Sequence, residues 1–446
     1  MLKIYSKLYL TLSIILFLSV FIFARALVSI PFIIIILMYI ISGEASLEGF
    51  RRNKSLYCLL IAGIFINIGI FYVSYVTKTF EPKSFFGFSN PLVILLYIYS
   101  STFFLRKNKD YGEYLLVVYS TIVIIFSIFA CYLFIYHCYF VGNGFIVSDI
   151  YKKDNGGSII QSIVALTFPL TAVYLVLKTK KIKNKAYKLT IYFFSALVIF
   201  VDIFVNRSKV GYLIEFIVLI YYVYALVSYF REIGSSNFKK DFLIIMVGIL
   251  SIVGLFVVVY KESSVFNDRV SKMYNETSSY FNADRDEKET NELMHSSTGL
   301  RMMYYISSFK LLKEYPDLLI FGCPYKTNTV KVKSCTATLI SKSDRLKNEV
   351  DIAKNGIMPH DEFINYVFRG GIVAGASLLM FFVLLFYESK KLKTEDKICM
   401  RVLLIAILAG CTFDYFMTTQ MLVALFATLL SIFLSKQLTG EEDVVE

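Results

Sequence analysis

Three side chains in the polar parts of the chain are suited to chemistry on a phosphorylated substrate. Arg207 and Arg301 carry guanidinium groups, whose planar fork binds phosphate oxygens through paired hydrogen bonds. His360 carries an imidazole that can accept a proton at neutral pH. The elements that carry these two cations and this general base therefore have to bring them to the same face of the protein.

Each of the three residues also has a simpler interpretation. Arg301 lies in the predicted first turn of a helix, where the dipole disfavours a cation unless an anion binds, and its alternative role is an ion pair with a loop carboxylate. Arg207 lies in the short turn of residues 206–209 between two apolar segments, and its alternative is contact with lipid headgroups. His360 lies where a polar loop re-enters an apolar segment, and its alternative is an ordinary interfacial hydrogen bond.

Other polar residues near the same boundaries are weaker candidates. Asp361 is expected to cap the helix that follows it and to orient His360. Two acids within the adjoining apolar segments, Asp202 and Glu215, are placed to neutralise a cation of the short turn. The candidates for substrate contacts are Lys209, Arg345, Arg369 and Asp361.

The sequence predicts neither a metal nor another cofactor. It contains no Cys-x-x-Cys pair, and its three histidines are far apart, which argues against zinc. The tripeptide Asp284-Arg285-Asp286 resembles a metal-binding pattern, but it lies in an acidic run, so we expect no catalytic metal there. Cys323 and Cys335, with eleven residues between them, either form a disulfide or remain two free thiols.

The composition indicates a membrane protein. The 446 residues are 57% apolar and only 18% charged, and the charges separate apolar runs of about 16 to 23 residues, long enough to cross a hydrocarbon core. The sequence therefore predicts an all-α polytopic membrane protein, and the net charge of +12 indicates topology and not nucleic-acid binding. Twelve spans are predicted, near residues 8–24, 26–41, 56–76, 90–105, 114–136, 158–177, 189–205, 210–230, 242–260, 363–387, 400–414 and 418–435.

The distribution of Lys and Arg predicts the orientation of these spans. With a cytoplasmic N-terminus, the inner segments hold 23 of the 46 Lys and Arg residues, and the short outer loops hold seven. Both termini are therefore predicted to be cytoplasmic. The chain divides into residues 1–260 with nine spans, a large outer loop at residues 261–362, and residues 363–446 with three spans and a short tail.

The outer loop contains one predicted helix and one basic stretch. The predicted helix follows Thr298, which is its expected cap, and Pro316 is its expected stop. Residues 326–347 hold six bases and one acid, which suits an anionic partner or, equally, a solvated face. The apolar side chains that share one face of the helix are Met302, Tyr305, Ile306, Phe309 and Leu312.

Four segments carry a resemblance to a known family. They are NRSKVGYL, STGLRMMYYISSFKLLKEYPDLLIFG, DRLKNEVDIAKNGIMPHDEFINYVFRGGIVAG and AGCTFDYF, within residues 200–420. In this order they resemble the O-antigen ligase family of bacterial inner membranes, whose superfamily also contains O-antigen and capsule polymerases. The resemblance implies that Arg207, Arg301 and His360 are the functional residues, although Asp361 stands where the family usually has Asn. The first half of the chain is similar only in hydropathy and span count.

The resemblance implies a fold similar to the GT-C membrane transferases and a metal-independent, inverting glycosyl transfer on the periplasmic face. The implied donor is a polysaccharide on undecaprenyl diphosphate, and the implied acceptor is a sugar hydroxyl of the lipid A core. The two arginines would hold the diphosphate leaving group, and His360 would take the proton from the attacking hydroxyl. Membrane lipids are the remaining expected partners.

Three other functions remain open from the sequence. A repeat-unit polymerase would share the donor, the leaving group and the base. A lipid-linked oligosaccharide flippase or other transporter would show a similar number of spans and similar basic inner loops. A membrane sensor would use the outer loop as a receptor, although no cytoplasmic output domain is recognisable in the sequence.

Overall fold

The computed structural model contains only helices and their connections in the part of the chain that it describes. The described residues are 2–22, 25–42, 53–78, 90–137, 157–179, 182–206, 214–221, 297–323, 332–343, 361–413 and 419–442, with a few short stretches and single positions between them.

The helices fall into three groups along the chain. Before the outer loop are α1 (Leu2–Phe21), α2 (Arg25–Ile41), α3 (Lys54–Thr77), α4 (Pro91–Arg106), α5 (Lys109–Tyr136), α6 (Gly157–Lys178) and α7 (Lys185–Phe200), which continues into a π-helical turn at Val201–Asn206. In the loop are α8 (Ser297–Glu314), α9 (Leu318–Phe321) and α10 (Val332–Lys342). After it are α11 (Glu362–Glu388), a 3-10 turn at Ser389–Lys391, α12 (Thr394–Phe413) and α13 (Gln420–Glu442).

Seven of the described helices are long and apolar enough to cross a membrane, which makes the chain a multi-pass membrane protein, as its composition predicts. Two shorter helical stretches, Leu27–Ile41 and Pro91–Arg106, are also apolar. Eleven of the twelve predicted spans overlap described helices, and the span at residues 210–230 does so through the helical stretch 214–221. The span at residues 242–260 lies almost entirely outside the described residues, so the number twelve stays a prediction.

The helix α13 lies at the centre of the bundle. Its side chains from Met421 to Ser435 are all buried, which requires neighbours on every side of this helix. Where it passes α4, the Tyr97 and Thr428 hydroxyls lie 2.7 Å apart, and the Ser431 hydroxyl donates to the Ile98 carbonyl at 3.3 Å. These bonds satisfy polar groups that would otherwise be buried without partners.

One end of the bundle is held by an ion-pair network. Glu113 at the start of α5 pairs with Lys178 at the end of α6 and with Lys436 on α13 at 3.4 Å. Lys436 also pairs with Asp396 at the start of α12 at 2.5 Å. The charge pattern of the sequence predicts all four of these helix positions on the inner side, and the structure brings them together at one end of the bundle.

Candidate functional site

The helix α11, which enters the bundle directly after the outer loop, is broken near its start. Gly370 (φ −154°, ψ 22°) and Gly371 (φ 75°, ψ −178°) leave the helical conformation. The Phe363 and Phe382 rings lie 6.4 Å apart, although 19 residues separate them and a straight helix would separate them by about 28 Å. The segment Glu362–Arg369 therefore folds back along the rest of α11.

The break requires glycine because other backbone segments approach it closely. A Cβ at Gly371 would collide with the Ile320 carbonyl oxygen, and a Cβ at Gly370 would lie 2.9 Å from the Ile66 side chain of α3. A Cβ at Gly375 would lie 2.6 Å from Val367 Cγ2, in the folded-back segment. Close packing at these three glycines therefore holds the folded-back segment against the rest of α11.

Asp361 caps the folded-back segment, as the sequence predicts. Its Oδ1 accepts a hydrogen bond of 2.8 Å from the Ile364 backbone N–H, and the residue is buried. Burial raises the pKa of this carboxyl to about 6, although hydrogen bonds from the backbone N–H groups of Ile364 and Phe363 act in the opposite direction. A capping carboxyl that titrates so close to neutrality can both orient a neighbouring base and exchange protons.

Further polar side chains follow Asp361 on the folded-back segment. Glu362 is fully buried, and its Oε1 accepts a hydrogen bond of 3.3 Å from Asn365. The Arg369 guanidinium, which the sequence predicts as a substrate contact, lies 5.6 Å from the centroid of the buried Tyr366 ring. The segment thus presents two acids and one guanidinium within nine residues.

The outer loop packs on this segment through a small apolar core of its own. Phe368 belongs to one buried apolar cluster with Leu311, Leu318 and Leu339 from α8, α9 and α10, and Ile364 packs against this cluster. Cys323 and Cys335, both fully buried in this core, form a disulfide with their Cα atoms 6.0 Å apart. The open question between a disulfide and two free thiols is thus answered, and a disulfide is consistent with an outer location of the loop.

Arg301 lies on α8, one turn before the residue that attaches this helix to the bundle. The Tyr305 hydroxyl donates a hydrogen bond of 2.5 Å to the Thr412 backbone carbonyl at the end of α12. Arg301 is half-buried and is the fifth residue of α8, so it follows the four free N–H groups instead of lying among them.

Two predictions for α8 are wrong. Thr298 is the second residue of the helix and not the residue that precedes it. The expected apolar face is not the buried one, because Ile306 and Phe309 are 37% and 63% exposed while Ser308 and Leu311 are fully buried. The helix is rotated in this way because its contacts are made with the folded-back segment of α11 and with the disulfide-linked part of the loop.

The remaining predicted residues are Arg207, Lys209, Arg345 and His360, and all four lie outside the described residues. The structure does describe the residues next to two of them. Asn206, which precedes Arg207, is buried at the end of the π-helical turn, and Asp361 follows His360. Of the predicted residues, Arg301, Asp361 and Arg369 lie on elements that the loop core joins.

Two contributors to the site were not found from the sequence. The sequence pattern places Tyr305 only on an apolar helix face, and no local pattern could identify its bond to Thr412, 107 residues further along the chain. Tyr366 lies between Glu362 and Arg369 in an otherwise apolar helix, and its type alone does not distinguish it from other core tyrosines.

No protein-family model matches the chain, and no curated protein matches its sequence.

Proposed function

We propose that the protein is an O-antigen ligase of the bacterial inner membrane. It transfers a polysaccharide from undecaprenyl diphosphate to a sugar hydroxyl of the lipid A core on the periplasmic face. The transfer inverts the configuration of the anomeric carbon and uses no metal. The proposal rests on the sequence resemblance together with one structural observation, the docking of the Arg301 helix on the outer end of the bundle.

The docking of α8 supports the proposal because it joins two elements that each carry a guanidinium at the predicted outer face. These elements are α8 with Arg301 and the folded-back segment of α11 with Arg369. The Tyr305–Thr412 hydrogen bond attaches α8 to the end of α12 opposite the ion-pair network. The loop core attaches the same helix to the segment that ends in Arg369. A diphosphate leaving group needs positive charge at the membrane surface, and two guanidiniums on adjoining elements are suited to supply it.

The proposed reaction is a single displacement. The acceptor hydroxyl oxygen forms a bond to the anomeric carbon while the bond between that carbon and the phosphate oxygen breaks, and the electron pair leaves with the diphosphate. His360 takes the hydroxyl proton, and the neighbouring Asp361 carboxyl orients the imidazole. Arg207 and Arg301 stabilise the charge that develops on the diphosphate, which is the role of a divalent ion in metal-dependent transferases.

Arg369 has a supporting role in this proposal. Its guanidinium lies over the Tyr366 ring at the end of the folded-back segment, which holds it near the break in α11. From that position we expect it to contact the phosphate nearer the lipid or the acceptor sugars. Lys209 and Arg345 are proposed to make similar contacts.

Purified protein, supplied with lipid-linked donor and lipid A-core acceptor in the presence of a chelator, tests the proposal. The expected result is polysaccharide attached to the core. Chain extension on the lipid-linked donor alone would identify a polymerase, and movement of the donor across a vesicle membrane without chemistry would identify a flippase. Either outcome would overturn the ligase proposal.

A further inference from the structure

Two carboxyl groups lie in direct contact inside the bundle. Asp202 is on the π-helical turn that ends α7 and is 2% exposed. Glu215 is on the next described helical stretch, residues 214–221, and its Oε1 atom is buried. The side chains of the two acids interact with each other. Such a pair inside a membrane bundle is costly unless positive charge accompanies it.

A network of amide groups fixes the geometry beside this pair. The Asn206 side-chain amide donates to Asp202 Oδ1 at 3.0 Å and to the Gln161 backbone carbonyl at 3.1 Å. The Gln161 side-chain amide in turn donates to the Asn206 backbone carbonyl at 3.0 Å. Because both bonds made by the Asn206 side chain use its nitrogen, its Oδ1 is left as an acceptor within a fully buried residue.

Three buried oxygen atoms at this place have no hydrogen-bond donor among the described residues. They are Asp202 Oδ2, Asn206 Oδ1 and Glu215 Oε1. Buried polar atoms in native proteins nearly always have a partner, so three acceptors in one cluster indicate a missing donor or cation. Oxygen atoms are the ligands that hard cations prefer, and a proton shared by two carboxyl groups satisfies the same requirement.

We propose that Asp202, Asn206 and Glu215 form a site for one monovalent cation, which is either Na⁺ held by all three of these oxygen atoms or a proton shared between the two carboxyl groups. The π-helical turn contributes to the site by holding Asp202 and Asn206, four residues apart, in hydrogen-bond contact. The inference does not depend on the proposed glycosyl transfer, since it uses none of the residues assigned to that reaction.

Among the described residues, few other titratable groups lie on the parts of α5 and α6 that pack near Asp202 and Glu215. The end of α5, which packs on α7 through the Phe134–Phe200 ring contact, carries Cys131, Tyr132 and Tyr136, and His137 follows it. The half of α6 that holds Gln161 has no ionisable side chain. Two cations, Arg207 and Lys209, follow Asn206 in the sequence, outside the described residues.

Thermal unfolding of the full chain in lipid nanodiscs tests the proposal, with far-UV circular dichroism as the signal because the chain has no Trp. In the first arm, NaCl replaces choline chloride at constant ionic strength and pH. In the second, the pH is raised from about 5 to about 8 in choline chloride. A Na⁺ site predicts a saturable rise of several degrees in the midpoint with Na⁺, and a proton site predicts a fall of similar size with rising pH.

The double variant Asp202→Asn/Glu215→Gln should lose whichever response the wild type shows. The single variants Asp202→Asn and Glu215→Gln should keep or raise the midpoint, because each amide removes one acid from the buried pair and supplies a hydrogen-bond donor. Glu113→Gln is the matched control, since Glu113 pairs with Lys178 and Lys436. This variant should have a lower midpoint and should keep the cation response.

Identical responses of the wild type and the double variant to both cations would overturn the proposal. So would a large fall in the midpoint, or a failure to fold, in both single variants. That second result would mean that a side chain of the protein itself, Arg207 or Lys209, already neutralises the two acids, because removal of one acid would then leave a buried cation unpaired.

Discussion

The Tyr305 hydroxyl donates a hydrogen bond of 2.5 Å to the Thr412 backbone carbonyl, and this bond joins the helix of the outer loop to the end of a bundle helix. The two residues are far apart in sequence. Arg301 precedes Tyr305 by one helical turn, so the bond also determines how far Arg301 lies from the bundle. We therefore expect the Tyr305 side chain to position the proposed anion-binding residue, Arg301.

Replacement of Tyr305 by Phe should reduce transfer without unfolding the protein. The ring and its packing remain, but the hydrogen bond is lost, and we expect a roughly two- to tenfold fall in rate. The measurement is polysaccharide attachment at equal protein level in membranes. Tyr114→Phe is the control, because Tyr114 is 51% exposed and should tolerate the change. Equal rates for both variants would mean that the bond to Thr412 does not position Arg301.

Replacement of Gly371 by Ala should strongly destabilise the protein. The backbone conformation at Gly371 (φ 75°, ψ −178°) is almost restricted to glycine, and a Cβ there would collide with the Ile320 carbonyl oxygen. We expect a loss of about 3 kcal/mol or more in the free energy of unfolding. Gly112→Ala is the matched control, because Gly112 lies within the regular helix α5 and its Cβ would make one 3.3 Å contact, with Ile432.

Denaturant unfolding of the two glycine variants in detergent gives the comparison. A Gly371→Ala protein as stable as Gly112→Ala would show that α11 enters the bundle as a straight helix.

Replacement of Asp361 by Asn should stabilise the protein at neutral pH. Because burial raises the pKa of the folded-state carboxyl from 3.8 to about 6, the folded protein binds more protons than the unfolded chain in this range. The associated stability is fully present below about pH 4 and is lost as the pH rises through about 6. The loss is about 3 kcal/mol, and Asn, which also caps helices, should avoid it.

The difference in unfolding free energy between the wild type and Asp361→Asn isolates this carboxyl from other titrating groups. The difference should be small at about pH 4 and largest above about pH 6. A constant difference across this range would show that the carboxyl has an ordinary pKa.

The disulfide between Cys323 and Cys335 should stabilise the apolar core of the loop, on which the helix of Arg301 packs. From a separation of 12 residues we expect a stabilisation of about 3 kcal/mol, which Cys323→Ser/Cys335→Ser would remove. Maleimide labelling of the denatured chain should reveal two additional thiols after reduction. Full labelling without a reductant would contradict the pairing.

The sequence predicted those features that depend on neighbouring residues. Apolar runs predicted the described spans, Pro316 marked the end of α8, and Asp361 was correctly predicted as a cap because its acceptor lies three residues from its donor. The break at Gly370 and Gly371 could not be predicted, since it depends on the approach of Ile320 and Ile66 from other parts of the chain.

The prediction of which face of α8 is buried was wrong for the same reason. The predicted face is the more apolar one, yet the structure buries Ser308 and exposes Phe309 because the helix packs on a segment whose folded-back path the sequence does not reveal. Of the predicted site residues, Arg301, Asp361 and Arg369 lie among the described residues. Arg207, Lys209, Arg345 and His360 remain predictions.

The most direct test of the proposed function is the rate at which purified Arg301→Ala transfers polysaccharide from lipid-linked donor to lipid A core in the presence of a chelator. Lys313→Ala is the control, because Lys313 is an exposed cation on the same helix. We expect a loss of about a hundredfold or more for Arg301→Ala, as for removal of a charge-stabilising group in other enzymes, and no loss for Lys313→Ala. A folded Arg301→Ala protein that transfers as fast as Lys313→Ala would contradict the account.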